Sequence, residues 1–229
     1  MNIDHTHTKT NGSELDMNMT AVWDKLRKFP EKYLWRTPRT LFLRALKDSS
    51  TDFAKLIAGK RVAVVGNAQS LFMREFGSEI DRHDLIVRFN HGIPIYPVAQ
   101  GTRTDIVSLN SLMSESEVMN GFRPKHLLFL TPRMRHYRID SRAGVAITSF
   151  YPLKWWWDDR SNIGKRPSSG FMGISFILRA NTAREVTVYG FDFGASYNDP
   201  VGYVSRHDFA REAEIVRGWA KEGRLRLVE

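Results

Sequence analysis

Arg61–Asn90 reads RVAVVGNAQSLFMREFGSEIDRHDLIVRFN. A β-rich apolar run, Val62 to Val65, breaks at Gly66-Asn67. A short helical segment follows over 69–76, then a second apolar run, Leu85 to Val87, that ends in Arg88-Phe89-Asn90. Strand, turn, helix and strand in that order open a nucleotide-binding α/β domain. Ligands of such folds collect beyond the carboxyl ends of the strands, where Gly66-Asn67 and Phe89-Asn90 belong. Two asparagines there can read a base, ribose or phosphate by hydrogen bonds without adding charge.

Outward from this unit the alternation continues. Further strands are predicted at 104–109, 126–131, 145–149 and 185–190, with a last one over Leu225–Val228; 61–66 and 84–89 complete the set. Helices are predicted at 69–76, 111–119, 170–181 and 207–221. The runs VAVV, LIV and HLLFL are continuous rather than alternating, as expected for parallel strands covered on both faces. The expected fold is a single Rossmann-like α/β domain over 59–229, mostly parallel, with helices on both faces. Residues 1–17 are polar and read as a disordered tail. Residues 18–58 read as a basic helical extension: Trp23, Leu26, Phe29, Tyr33, Leu34, Trp35 and Leu41 alternate with Lys and Arg, and Pro30 and Pro38 divide it. Such a mixture can lie in an anionic membrane interface.

The 229 residues carry a net charge of +9, which calls for an anionic partner. Helix-turn-helix, RNP and zinc signatures are missing, so nucleic acid is not the expected one. There is no cysteine, and the N-terminus lacks the basic-then-apolar order of a signal peptide. A cytoplasmic protein is expected, touching the inner membrane through its extension.

Three more stretches carry candidate chemistry. Pro167-Ser168-Ser169-Gly170 precedes a segment apolar nearly all round, hence a buried helix whose capped N-terminus suits a phosphate. That helix feeds strand 185–190 and Gly190-Phe191-Asp192-Phe193, a strand end facing the same crevice. His207 stands where the last helix should start, near Asp208, Glu212 and Glu214, placed for a general base. Segment 132–166 reads as an irregular substrate loop, with Arg133, Arg135, His136, Tyr137, Tyr151 and Trp155 as acceptor-binding candidates. No Asp-x-Asp, Walker loop or G-x-G-x-x-G occurs, and Asp158-Asp159 reads as a solvated turn.

Taken together and in order, these stretches resemble the animal-type sialyltransferases, glycosyltransferase family 29. The family's large motif is similar to Arg61–Asn90 continued through Gly101-Thr102-Arg103-Thr104-Asp105. Its small motif is similar to Pro167–Gly170 through Tyr189-Gly190-Phe191, and its very small motif, a His and a Glu separated by four residues, to His207 and Glu212. The resemblance implies a glycosyltransferase A-like fold and inverting, metal-independent transfer from a CMP-activated 2-keto acid sugar to a hydroxyl of a glycan or glycolipid, with no cofactor. It implies that Gly66, Asn67, Asn90 and Gly190 meet the CMP moiety, that Ser168, Ser169 and Gly170 hold the donor near its phosphate or carboxylate, and that His207 deprotonates the acceptor with Glu212 in support.

Two departures stand out. The family's cysteine pair is absent, and so is its donor-binding histidine between the small and very small motifs, where Tyr197 or Tyr203 is the available substitute. The expected enzyme is therefore a bacterial or viral member, using sialic acid, Kdo or another nonulosonate, as in lipopolysaccharide assembly. A transferase for another nucleotide sugar and a non-catalytic nucleotide- or nucleic-acid-binding protein of the same fold are the alternatives.

Overall fold

The computed structural model describes residues 49–110, 113–130, 146–194 and 205–228, all within the compact unit Leu43–Glu229. The reading of 1–17, and that of the 18–58 extension as far as residue 48, lie outside the described residues, as do 111–112, 131–145, 195–204 and 229. Among the described residues no helix is long and apolar enough to cross a membrane.

Seven strands form one sheet: β1 Arg61–Val65, β2 Leu85–Phe89, β3 Ile106–Leu109, β4 His126–Phe129, β5 Ala146–Phe150, β6 Glu185–Tyr189 and β7 Arg226–Val228. All described pairs are parallel, in the order β5-β4-β3-β2-β1-β6-β7. The chain steps outward from β1 to β5, then returns to lay β6 on the other side of β1. That reversal is a topological switch point, and it opens a crevice between the carboxyl ends of β1 and β6.

Seven α-helices are described: α1 Ser49–Ile57, α2 Gly77–Asp81, α3 Pro97–Gln100, α4 Glu115–Phe122, α5 Leu153–Ile163, α6 Ser169–Ala180 and α7 Phe209–Lys221. Alternate residues of each strand face opposite ways, so one sequence supplies two cores. Val62, Val64, Val87 and Val188 pack with Phe53 and Ile57 of α1, the apolar body of α6 and Val216 of α7. Ala63, Val65, Ile86 and Tyr189 face the other way onto Leu71 and Ile80, and Val107, Leu127 and Phe129 onto Val118 and Phe122 of α4. Helices therefore cover both faces, as the continuous apolar strands required.

The differences from the expected elements have local causes. Residues 69–76 give a 3-10 turn, Gln69–Met73, because Arg74 N–H closes onto Leu71 O at 3.2 Å rather than one residue further back. Helix α4 starts at Glu115 because Ser114 and Glu117 form a reciprocal capping box. The loop expected over 132–166 is, in its described part, β5 and then α5. Pro152 enters that helix, and Gly164 leaves it at φ 81°, a left-handed conformation that favours glycine. Asp158-Asp159 is correspondingly not a solvated turn: Asp159 is 2% exposed inside α5.

Candidate active site

A cleft of about 270 Å³ lies over the switch point. Gly66, Asn67 and Ala68 come to it from the end of β1, Phe89 and Asn90 from β2, and Gly190 to Gly194 from β6. Ser168 to Phe171 bring the start of α6; His207, Phe209 and Glu212 bring the start of α7. The large, small and very small motif residues thus converge on one site.

The floor depends on close backbone approach. Gly66 N–H donates to Tyr189 O at 2.8 Å and Ala68 N–H to Gly190 O at 3.1 Å. A Cβ on Gly66 would stand 2.3 Å from Gly190 O, so no other residue fits without moving the chain. Asn67 Nδ2 donates to Phe89 O at 3.3 Å, tying the turn after β1 to the end of β2. Asn90 holds φ 46°, a left-handed conformation that asparagine tolerates better than most residues, and its Oδ1 accepts from Asn110 N–H at 2.7 Å.

Helix α6 supplies the positive end. Ser168 is its N-cap, with Oγ accepting from Phe171 N–H at 3.1 Å. The N–H groups of Ser169 and Gly170 are first-turn donors without intrahelical acceptors, and both residues line the cleft. An anion placed there meets oriented N–H groups and the helix dipole together. Gly170 admits Phe191: a Cβ at Gly170 would lie 2.5 Å from that ring, which in turn stands edge-on to Phe89 with centroids 6.0 Å apart.

The start of α7 grips the segment before α6 at two points. Asp208 is the N-cap of α7, accepting from Arg211 N–H at 3.1 Å, and His207 directly precedes it. His207 Nδ1 lies 2.8 Å from Arg166 O. A carbonyl only accepts, so Nδ1 carries the proton and, in the neutral ring, Nε2 holds the lone pair. Two residues on, Ser168 N–H donates to Glu212 Oε1 at 2.7 Å and Ser168 Oγ–H to Oε2 at 2.6 Å. Glu212 is 1% exposed, and burial pushes its carboxyl up to about 7 against those two hydrogen bonds. On the opposite rim Asp192 accepts from Ser70 N–H at 3.3 Å and from Ser70 Oγ–H, fastening the 3-10 turn to the end of β6.

Gly66, Asn67, Asn90, Ser168, Ser169, Gly170, Gly190, His207 and Glu212 are therefore together. Tyr151 and Trp155 are not with them. Tyr151 is 1% exposed and donates its hydroxyl to Asp159, while Trp155 packs edge-on to Tyr151 and Phe176. Both belong to the core, where apolar packing outweighs the acceptor-binding role first read from their aromatic character. Arg133, Arg135, His136, Tyr137, Tyr197 and Tyr203 lie outside the described residues. Asn110, which joins Asn90 to Ser169, was not singled out from the sequence. The signal for Asn110 was available, since it follows β3 as Asn67 follows β1 and Asn90 follows β2. Among the described residues no group of three or more His, Asp or Glu is placed to hold a metal ion.

The sequence model described as glycosyltransferase family 29 (sialyltransferase) matches residues 11–135, which is 125 of the 229 residues. A comparison with curated protein sequences finds no match. Among solved structures, a mammalian sialyltransferase in complex with Gal-β-1-3GalNAc-ortho-nitrophenol is similar at TM-score 0.53 and 20% identity, over 76% of this chain and 71% of that one. Another structure of a mammalian sialyltransferase gives TM-score 0.53 and 20% identity, over 76% and 70%. The sialyltransferase CstII from Campylobacter jejuni with the substrate analogue CMP-3FNeuAc gives TM-score 0.49 and 15% identity, over 73% and 78%. The mammalian likeness is one of fold, and the family match spans more than half the chain. The chain belongs to glycosyltransferase family 29, the sialyltransferase family.

Proposed function

We propose that the protein transfers a 2-keto acid sugar from its CMP donor to a hydroxyl of a glycan or glycolipid, with inversion and without a metal. Sialic acid heads the candidate sugars, because the family is that of the sialyltransferases; Kdo and related nonulosonates share its carboxylated anomeric centre. The observation that carries the reading is the bond from His207 Nδ1–H to Arg166 O, in a cleft that the start of α6 also lines. It fixes the tautomer in which Nε2 accepts a proton.

In the proposed step the acceptor hydroxyl gives its proton to His207 Nε2 while its oxygen attacks the anomeric carbon. The bond from that carbon to the phosphate oxygen breaks, and its electron pair leaves with CMP. A single displacement inverts the centre. The N–H groups of Ser169 and Gly170 are the donors suited to the leaving phosphate or the sugar carboxylate, so charge develops against preorganised dipoles. CMP leaves as a stabilised anion, and the chain has no Asp-x-Asp to carry a nucleotide-bound cation. A neutral glycan such as the Gal-β-1-3GalNAc of the mammalian complex is one acceptor to try.

His207→Ala should lower transfer by about 10²- to 10⁴-fold, the usual worth of a positioned base, with CMP affinity unchanged. The assay is run with CMP-sialic acid and CMP-Kdo, with and without EDTA. Turnover retained by the variant sinks the base; turnover lost in EDTA and restored by magnesium sinks the metal-free step. Transfer from neither donor sinks the CMP-sugar reading.

A further inference from the structure

We infer that Asn110 is a positioning residue for the transfer, bracing the two halves of the donor cleft against each other. It directly follows β3, and it touches both the nucleotide floor and the anion-binding helix. Its backbone N–H donates to Asn90 Oδ1 at 2.7 Å, and its side-chain Nδ2 donates to Ser169 Oγ at 3.1 Å, across 59 residues of chain.

Each bond settles an orientation. The first fixes the flip of the Asn90 carboxamide, with its oxygen turned toward β3 and its nitrogen on the other side. The second makes Ser169 Oγ an acceptor toward Asn110. The hydroxyl proton of Ser169 must then be given elsewhere, so the first residue of α6 presents an O–H donor beside its backbone N–H. An oxygen-rich anion is the complementary ligand. A third asparagine at the next strand end thus sets the hydrogen-bonding sense of one residue in each half of the site.

The inference rests on the CMP-donor reading, and its test separates the two. CMP binding is measured by calorimetry and CMP-sialic acid turnover by product analysis for the wild type, Asn110→Ala and Asn110→Asp, with thermal melting alongside. Asn110→Ala keeps the backbone bond and loses the side-chain one; CMP affinity and donor KM should weaken about tenfold, with kcat within about threefold. Asn110→Asp keeps the shape but can only accept, so Ser169 turns its proton toward the new carboxylate, and a negative charge sits at the helix N-terminus that the donor needs. It should weaken CMP at least a further tenfold while melting within about 2 °C of wild type.

Affinity within twofold of wild type in both variants, equal weakening by the two, or a loss that tracks the melting point overturns the brace. Wild type that binds no CMP overturns the donor reading, and the inference with it.

Discussion

Asp159 and Glu212 are both at most 2% exposed, and each hydrogen-bonds a serine of the α6 region, Ser175 in one case and Ser168 in the other. Burial pushes both carboxyls above the usual range. They differ in what opposes the charge. Asp159 has Arg179 at 2.9 Å, the hydroxyl of Tyr151 and the hydroxyl of Ser175 at 3.3 Å. Glu212 has the N–H and O–H of Ser168, and no ion pair reaches it among the described residues. A buried carboxylate closed by a cation belongs to the architecture, and nothing further is asked of it. A buried carboxylate closed by neutral dipoles has, among the described residues, only those dipoles to hold its charge, and its carboxyl is pushed up to about 7.

Removing the cation-closed carboxylate should produce the largest effect. Asp159→Ala takes the buried carboxylate away from both the Tyr151 hydroxyl and Arg179. Breaking such a pair costs roughly 3–5 kcal/mol when both members are buried. Arg179 keeps 30% of its side chain in solvent, so the lower end, about 3 kcal/mol, is expected in urea unfolding. CMP affinity of the folded fraction should be unchanged. A loss under about 1 kcal/mol would show that Asp159 is as dispensable as a surface carboxylate.

The dipole-closed carboxylate should show itself in pH dependence. With its folded value at about 7 and its unfolded value near the ordinary 4.5, Glu212 binds more proton in the folded than in the unfolded chain between those limits. Its contribution is therefore complete below about pH 4.5 and is lost as pH rises through about 7. At about 1.4 kcal/mol per tenfold, the loss is at most about 3 kcal/mol. Glu212→Gln cannot titrate and should flatten that limb in denaturation runs from pH 4.5 to 8. An unchanged slope would mean that Glu212 does not titrate within that range. The groups bearing on it are Ser168, which lowers it by two hydrogen bonds, and the charges of Asp208 and Asp159, which raise it.

Much of this was legible in the sequence. Every described strand falls within a predicted one to within two residues at each end, because a parallel strand covered on both faces must be apolar continuously. Asn67, Asn90, Ser169, Gly190 and His207 could be placed because each ends a strand or begins a helix, and those ends share one edge of the sheet. What escaped were pairings between distant residues. Glu212 finds Ser168 across 44 positions and Asp159 finds Arg179 across 20, and no local period reports either. Helix α5 escaped for a related reason: three tryptophans beside Lys154 suit a binding loop equally well, until Trp155 and Trp156 are seen against the core.

The smallest effect should come from the next residue along. Asp158 is one position from Asp159 on the same helix, yet its side chain is 38% exposed, with Lys154 at 3.2 Å and Arg179 at 3.8 Å. Lys154 is itself 83% exposed, so water screens the pair and competes for both charges. Asp158→Ala should change stability by no more than about 0.5 kcal/mol, since Arg179 keeps its bond to Asp159 and no buried polar group is stranded. The double variant Asp158→Ala, Asp159→Ala should then match Asp159→Ala alone. A double variant worse than the sum of the singles by more than about 1 kcal/mol would show that Arg179 is shared between the two carboxylates. Its desolvation would then have to be charged to both, and burial alone would no longer separate a structural carboxylate from a solvated one.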